Sequence, residues 1–167
     1  LNENSSLGGL DPYSSSKSCQ DIISTTYKSS IYQKKIEIII LRAGNIIGGG
    51  DWNKYRIIPD IFKCLYSKKK IYVRNPNAIR PWQHIFDLLN GYLILSVKIY
   101  GNNKFNGSWN FGPSNRHVTV KEVISKLIKI LKINKKIFIK IDKKIKETEL
   151  LSLKTDKSKK YLKWKPR

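Results

Sequence analysis

The chain has 167 residues, 40% of them hydrophobic, with four Trp, nine Tyr and five Phe. That supplies one ordinary globular core and excludes a disordered chain, which would be poor in aromatics. The formal net charge of +21 comes mostly from scattered lysines. In a composition also rich in Ile and Asn it reads as a solvated basic surface, not as a nucleic-acid-binding arm.

The longest apolar run, Ile38–Leu41 with Ile36 nearby, is strand-sized, so no membrane span is expected. The opening LNENSSLGGLDPY has no basic segment followed by an apolar one and is not expected to be a signal peptide. There is no Met anywhere, and the chain is expected to be an internal fragment of a longer polypeptide in the cytoplasm. Cys19 and Cys64 are too few and too far apart for a disulfide scaffold or a zinc site, so no metal is expected.

Residues 1–10 read as a loop ended by Gly8 and Gly9. Asp11 then serves as N-cap and Pro12 as first residue of a helix reaching to about Tyr32, with Ile22, Ile23, Tyr27 and Ile31 at roughly helical spacing. Ile36–Leu41 is a β-branched strand covered on both faces. A long loop is expected from Arg42 to Arg56, holding Gly44, Gly48, Gly49 and Gly50. A short helix over 57–67, a strand over Ile71–Val73 and a loop over Arg74–Trp82 follow. Next come a helix over 86–100 and a strand over Ser108–Phe111. Thr119 caps an amphipathic helix ending near Leu131, whose apolar face is Val120, Val123, Ile124, Leu127, Ile128 and Leu131. Residues 132–167 hold fourteen basic and four acidic residues. Their alternation of Ile with Lys predicts a half-buried strand over 137–141, before a last short helix over 156–162. Alternating helices and strands give an α/β fold with a partly parallel sheet.

The sharpest motif is YSSSK, Tyr13 to Lys17. Residues four apart on a helix share one face. A lysine ammonium there favours the phenolate over the phenol, whose ordinary pKa is about 10. Such a tyrosine can take a proton from a sugar hydroxyl, and the lysine can hydrogen-bond a ribose. The spacing alone also arises by chance, as two solvated residues on a helix face. The run Gly48–Gly50 spells neither G-x-x-x-x-G-K-S/T nor G-x-G-x-x-G, and reads as a substrate-side loop needing unusual backbone angles.

In their order along the chain, GGLDPYSSSK, LRAGNIIGGGDW, RIIPDIF, VRNPNAIRPWQH, WNFGPS and LLSLKTDKSKKYLKWKPR resemble the extended short-chain dehydrogenase/reductase (NAD-dependent epimerase/dehydratase) superfamily. GGGDW and RNPNAIRPWQH are similar to its CDP-glucose 4,6-dehydratase branch. The resemblance implies the C-terminal part of a Rossmann-like doubly wound parallel sheet plus a smaller α/β substrate-binding domain. Residues 1–56 would belong to the first and 57–167 mostly to the second. It implies NAD as cofactor, CDP-glucose as nucleotide-sugar substrate and a homodimer, with neither nucleic acid nor membrane as partner. Tyr13 would be the base at the sugar 4-hydroxyl. Lys17 would hold the nicotinamide ribose and tune Tyr13, and Ala43 and Gly44 would pass the nicotinamide. Asn45 and Arg80 would bind the diphosphate, where a guanidinium fork suits phosphate oxygens. Arg56 and Asn110 would face the nucleotide, and Arg74 and Asn75 its base or ribose.

The Gly-rich turn that holds a dinucleotide pyrophosphate, and the acidic residue for its ribose, are not in this sequence. The fragment alone is therefore expected to be inactive. Where relatives tend to show His-Glu before the tail, this chain has Lys146-Glu147. Another epimerase or dehydratase of the superfamily, and a catalytically inactive fragment, remain open as alternatives.

Overall fold

The computed structural model describes residues 1–9, 11–31, 36–67, 72–100, 102–114, 117–132 and 148–167. The chain divides into two units interleaved in sequence: Leu1–Ala43 with Asp87–Ser114 and Leu153–Arg167, and Gly44–Phe86 with Asn115–Ser152. The expected boundary after Arg56 lies inside the second unit.

In the first unit, α1 (Pro12–Thr26) starts as the sequence implies, with Pro12 in its first turn and Asp11 as cap. It passes into a π-type turn over Tyr27–Ile31. None of its residues is fully buried, and Ile22, Ile23, Tyr27 and Ile31 are all exposed. The expected strand at Ile36–Leu41 is displaced toward the C-terminus, as β1 (Ile39–Ala43). It pairs in parallel with β5 (Gly107–Phe111), Ile39 opposite Gly107 and Ala43 opposite Phe111.

The core of this unit joins the sheet to α3 (Ile85–Ile99) and to the C-terminal segment. Leu88, Leu95, Trp109, Phe111, Leu162 and Trp164 are all buried, each large apolar side chain contributing on the order of 1.5–3 kcal/mol. Gly91 is what allows the close approach: a Cβ there would lie 2.5 Å from a Phe111 ring carbon and 2.9 Å from Trp164 Nε1. The rings of Phe111 and Trp164 meet edge to face, centroids 5.1 Å apart. The indole N–H of Trp164 donates to Asp87 O at 2.9 Å, so burial leaves no orphan donor. The expected last helix is a π-type turn, Ser158–Leu162, ended by Lys163 at φ 56°.

In the second unit, α2 (Ile57–Tyr66) and α4 (Val120–Ile130) meet over Ile61, Val73, Ala78, Val120 and Ile124. Cys64 packs against this cluster. Thr119 and Glu122 form a reciprocal capping box, Glu122 N–H donating to Thr119 Oγ1 at 3.2 Å and Thr119 N–H to Glu122 Oε2 at 2.7 Å. Two further helix-start donors, the N–H groups of Val120 and Lys121, go to the carbonyls of Ala78 and Pro76 at 3.0 and 2.8 Å.

Four short strands lie outside the expected strands. β2 (Asn45–Ile47) pairs in parallel with β4 (Trp82–His84), and β3 (Ile79–Arg80) pairs antiparallel with β6 (Val118–Thr119). Gly44 is required for this, since a Cβ there would lie 2.2 Å from Pro81 O. The expected strand at Ile71–Val73 is not found over Tyr72–Val73; Val73 is apolar because it fills the core. Ile71 and the expected strand over 137–141 lie outside the described residues. Among the described residues no helix is long and apolar enough to cross a membrane.

Thr119→Ala should lower stability by about 1 kcal/mol through loss of the cap, and Thr119→Ser should restore it. The urea midpoint of the protein checks this.

Candidate active site

The N-terminus of α1 is built to hold Tyr13. Asp11 Oδ1 accepts from the N–H of Tyr13 at 2.9 Å and of Ser14 at 3.0 Å. The Ser14 hydroxyl donates to Asp11 Oδ2. The Ser14 side-chain bond first, then its backbone bond, hold the Asp11 carboxyl below the usual carboxylate range. The side chain of Ser15 donates to Gly9 O at 3.2 Å and that of Ser18 to Gly8 O at 2.9 Å. The serines of YSSSK therefore knit the preceding Gly-Gly loop to the helix.

Tyr13 and Lys17 are brought together. Both are exposed, and Lys17 Nζ lies 5.6 Å from the centroid of the Tyr13 ring. Lys17 also donates to Gln20 Oε1 at 3.3 Å. An ammonium carries three donors, which leaves two for the hydroxyls of a ribose.

Ala43 and Asn110 stand at the carboxyl ends of two parallel strands, with Arg42 opposite Asn110 and Ala43 opposite Phe111. Ligands of open α/β sheets sit off those ends. Asn110, expected to face a nucleotide, is fully buried. Its amide nitrogen donates to Lys154 O at 3.2 Å and Leu1 O at 3.5 Å, its N–H to Glu3 Oε1 at 3.1 Å, and its carbonyl accepts from Ser158 Oγ. These bonds commit its donors to the fold.

In the second unit, Gly44 precedes Asn45, whose N–H donates to Pro81 O at 2.9 Å. Asn45 is thus held next to the strand segment carrying Arg80. Arg80 is buried, and its Nη1 donates to Ile79 O at 2.9 Å.

A second group comes from two loops. Arg56 caps α2 by position, without a side-chain cap bond, and is exposed. Arg74 is exposed, and its guanidinium lies 5.6 Å from the ring centroid of Tyr55. Asn75 Oδ1 accepts from Asn77 N–H at 3.1 Å, a local turn contact. Tyr55 is not singled out by the sequence. It is 80% exposed at φ 63°, a backbone conformation a bulky residue seldom adopts, and sequence gives no sign of it.

The donor set suits one end of a dinucleotide. A phenol and an ammonium on one exposed helix face match a nicotinamide ribose, whereas a pyrophosphate would need a Gly-rich turn that this sequence does not contain.

Residues 2–110 match the NAD dependent epimerase/dehydratase family. The CDP-glucose 4,6-dehydratase of Salmonella typhimurium is 35% identical over 173 residues, covering 99% of this chain and 48% of that protein. The dTDP-D-glucose 4,6-dehydratase of Dictyostelium discoideum is 31% identical over 122 residues, 72% of this chain and 27% of that one. A solved dTDP-glucose 4,6-dehydratase from Streptomyces venezuelae, with NAD and TYD bound, aligns at a TM-score of 0.83 and 20% identity, over 100% of this chain and 49% of that one. The parallel strand pairs and fold class expected from the sequence are thus those of Rossmann-type dehydratases. The chain belongs to the NAD-dependent epimerase/dehydratase family. It spans less than half the length of either curated relative.

The Asp11 cap should be pH-dependent. A carboxyl whose folded pKa is depressed stabilises above its unfolded value, about 3.9, and that contribution is lost as pH falls through the lower folded value. Protection of the Tyr13 and Ser14 amides relative to their intrinsic exchange rates should therefore fall only below about pH 4, as followed by NMR; Asp11→Ala should remove the dependence.

Proposed function

We propose that this chain is part of a nucleotide-sugar 4,6-dehydratase that converts CDP-glucose to CDP-4-keto-6-deoxyglucose for deoxysugar and surface polysaccharide synthesis in the cytoplasm. The observation that carries the reading is the exposed Tyr13–Lys17 pair, Nζ 5.6 Å from the ring centroid, in a chain 35% identical over 99% of its length to a CDP-glucose 4,6-dehydratase.

The reaction oxidises C4 of the glucose, eliminates water across C5 and C6, and reduces C6. NAD supplies transient storage for the electron pair lost at C4 and regained at C6, so there is no net redox change. Tyr13 takes the proton of the 4-hydroxyl as C4 is oxidised; that oxygen stays a ketone in the product, and the proton balance closes when C5 is protonated as C6 is reduced. Lys17 donates to the nicotinamide ribose and puts a positive charge beside the oxygen that must carry an anion. A ketone at C4 acidifies the C5 hydrogen, which is what makes loss of the 6-hydroxyl possible. We assign the acid and base of that elimination to the part of the enzyme outside this chain.

Ala43 and Gly44 pass the nicotinamide. Asn45 and Arg80 take the diphosphate: Arg80 is buried beside the strand that fixes Asn45, and a guanidinium fork matches phosphate oxygens. Arg56, Arg74 and Asn75 face the nucleoside, with Tyr55 as a flat aromatic surface beside the Arg74 guanidinium. A homodimer through α1 is supported by the exposure of Ile22 at 53% and Ile23 at 55%.

The full polypeptide carrying this chain, supplied with NAD, should turn over CDP-glucose in preference to dTDP- and GDP-glucose. Tyr13→Phe should reduce kcat on the order of 100-fold or more while CDP-glucose affinity changes little. A Tyr13→Phe enzyme at full rate removes the base assignment, and turnover of dTDP-glucose alone removes the CDP assignment.

A further inference from the structure

The loop Gly48–Tyr55 exposes two large aromatics, Trp52 at 58% and Tyr55 at 80%. Gly50 has φ 82° and Tyr55 φ 63°, so its path depends on two residues in the left-handed region. Loops of this kind usually move unless something outside them holds their backbone. Here that hold is visible. Lys63 Nζ, on the second turn of α2, donates to the carbonyl of Trp52 at 2.6 Å and to that of Asn53 at 3.3 Å. Asp60, one helical turn earlier, stands 3.8 Å from the same ammonium. From the other side Asp51 Oδ1 accepts the N–H of Asn53 at 3.0 Å and its Nδ2 at 2.9 Å.

One ammonium thus gathers two consecutive carbonyls and a carboxylate. This is work that a point charge with three rotatable donors does well and an apolar side chain of the same length does not do at all. Trp52 carries one of the pinned carbonyls and Tyr55 lies two residues beyond the other, and both side chains are exposed. Tyr55 is the one beside which the Arg74 guanidinium sits, at 5.6 Å.

We propose that Lys63 is a positioning residue for nucleotide binding: by fixing the backbone of Trp52 and Asn53 it presents Trp52, Tyr55 and Arg56 to the ligand in one conformation. Lys63 itself touches no substrate. The inference rests on the nucleotide-sugar reading above and adds to it the loop and the residue that sets it. The benefit is entropic, because a loop already ordered before binding does not pay for ordering afterwards.

The test uses the full polypeptide with NAD, CDP as the probe ligand, and Lys63→Met, Lys63→Gln and Lys63→Arg variants. In Lys63→Met the amides of residues 51–55 should exchange at least tenfold faster than in wild type, with the exchange of α4 unchanged. CDP affinity should fall about tenfold, the conformational cost that pinning removes, and KM for CDP-glucose should rise in parallel while kcat stays within about threefold. Lys63→Arg, which keeps a cation and several donors, should restore both. The Lys63 side chain is 37% exposed, so its truncation leaves the apolar cluster intact; Lys63→Gln gives the same reading should Lys63→Met not fold. Wild-type CDP affinity in Lys63→Met or Lys63→Gln, with wild type itself binding CDP, overturns the role of Lys63 alone. Failure of the wild-type protein to bind CDP overturns the CDP assignment together with it.

Discussion

The helix that carries Tyr13 and Lys17 has no fully buried residue, so polar contacts must hold it to its sheet. The ion pair between Arg42 and Asp21 does this. Arg42 Nε stands 2.7 Å from Asp21 Oδ2, with side-chain exposures of 22% and 16%. Arg42 is on β1 and Asp21 is midway along α1, so one guanidinium spans the strand and the helix. Its Nη1 also donates to Glu3 O at 3.0 Å, and Glu3 in turn accepts from Asn110 N–H on β5. An ion pair at this partial burial is less screened by solvent than an exposed pair, which is worth roughly 0–1 kcal/mol.

The same network explains why Asn110 belongs to the framework. Its side chain and backbone meet Leu1, Glu3, Lys154 and Ser158, residues from opposite ends of the sequence. Lys157, one residue before Ser158, donates to Ser108 O at 2.8 Å and lies 4.1 Å from the Trp109 ring centroid. Burial holds that ammonium below the ordinary lysine range, with Glu3 acting in the opposite direction. Polar groups inside the first unit are thus spent on tying the chain termini to β5, the strand beside the one from which Arg42 reaches α1.

What could be read from the sequence was what local rules govern. Asp11-Pro12 announced the start of α1, and Thr119 with its following apolar face announced α4, because caps and helical periods are written in neighbouring residues. The YSSSK pair was legible for the same reason. β2, β3 and β4 were not, since strands of two or three residues have no period to detect. Asn45 is fixed by Pro81 O, and Arg80 lies across from Val118; both relations cross a long stretch of sequence. The bonds that tie Asn110 to both ends of the sequence cross long stretches of chain, and a motif does not display them. Tyr55 and Lys63 escaped because a left-handed backbone angle and a side chain reaching ten residues back leave no pattern in composition or spacing.

In the proposed reaction, removal of the proton of the 4-hydroxyl starts a sequence that ends in reduction at C6 of the same sugar. Its most direct test is the fate of the C4 hydrogen. CDP-glucose deuterated at C4, turned over by the full polypeptide with NAD, should give a 4-keto-6-deoxy product carrying the deuterium at C6, located by mass spectrometry or NMR. Deuterium retained at C4 of a product with inverted configuration and an intact 6-hydroxyl would contradict the account and make the enzyme an epimerase.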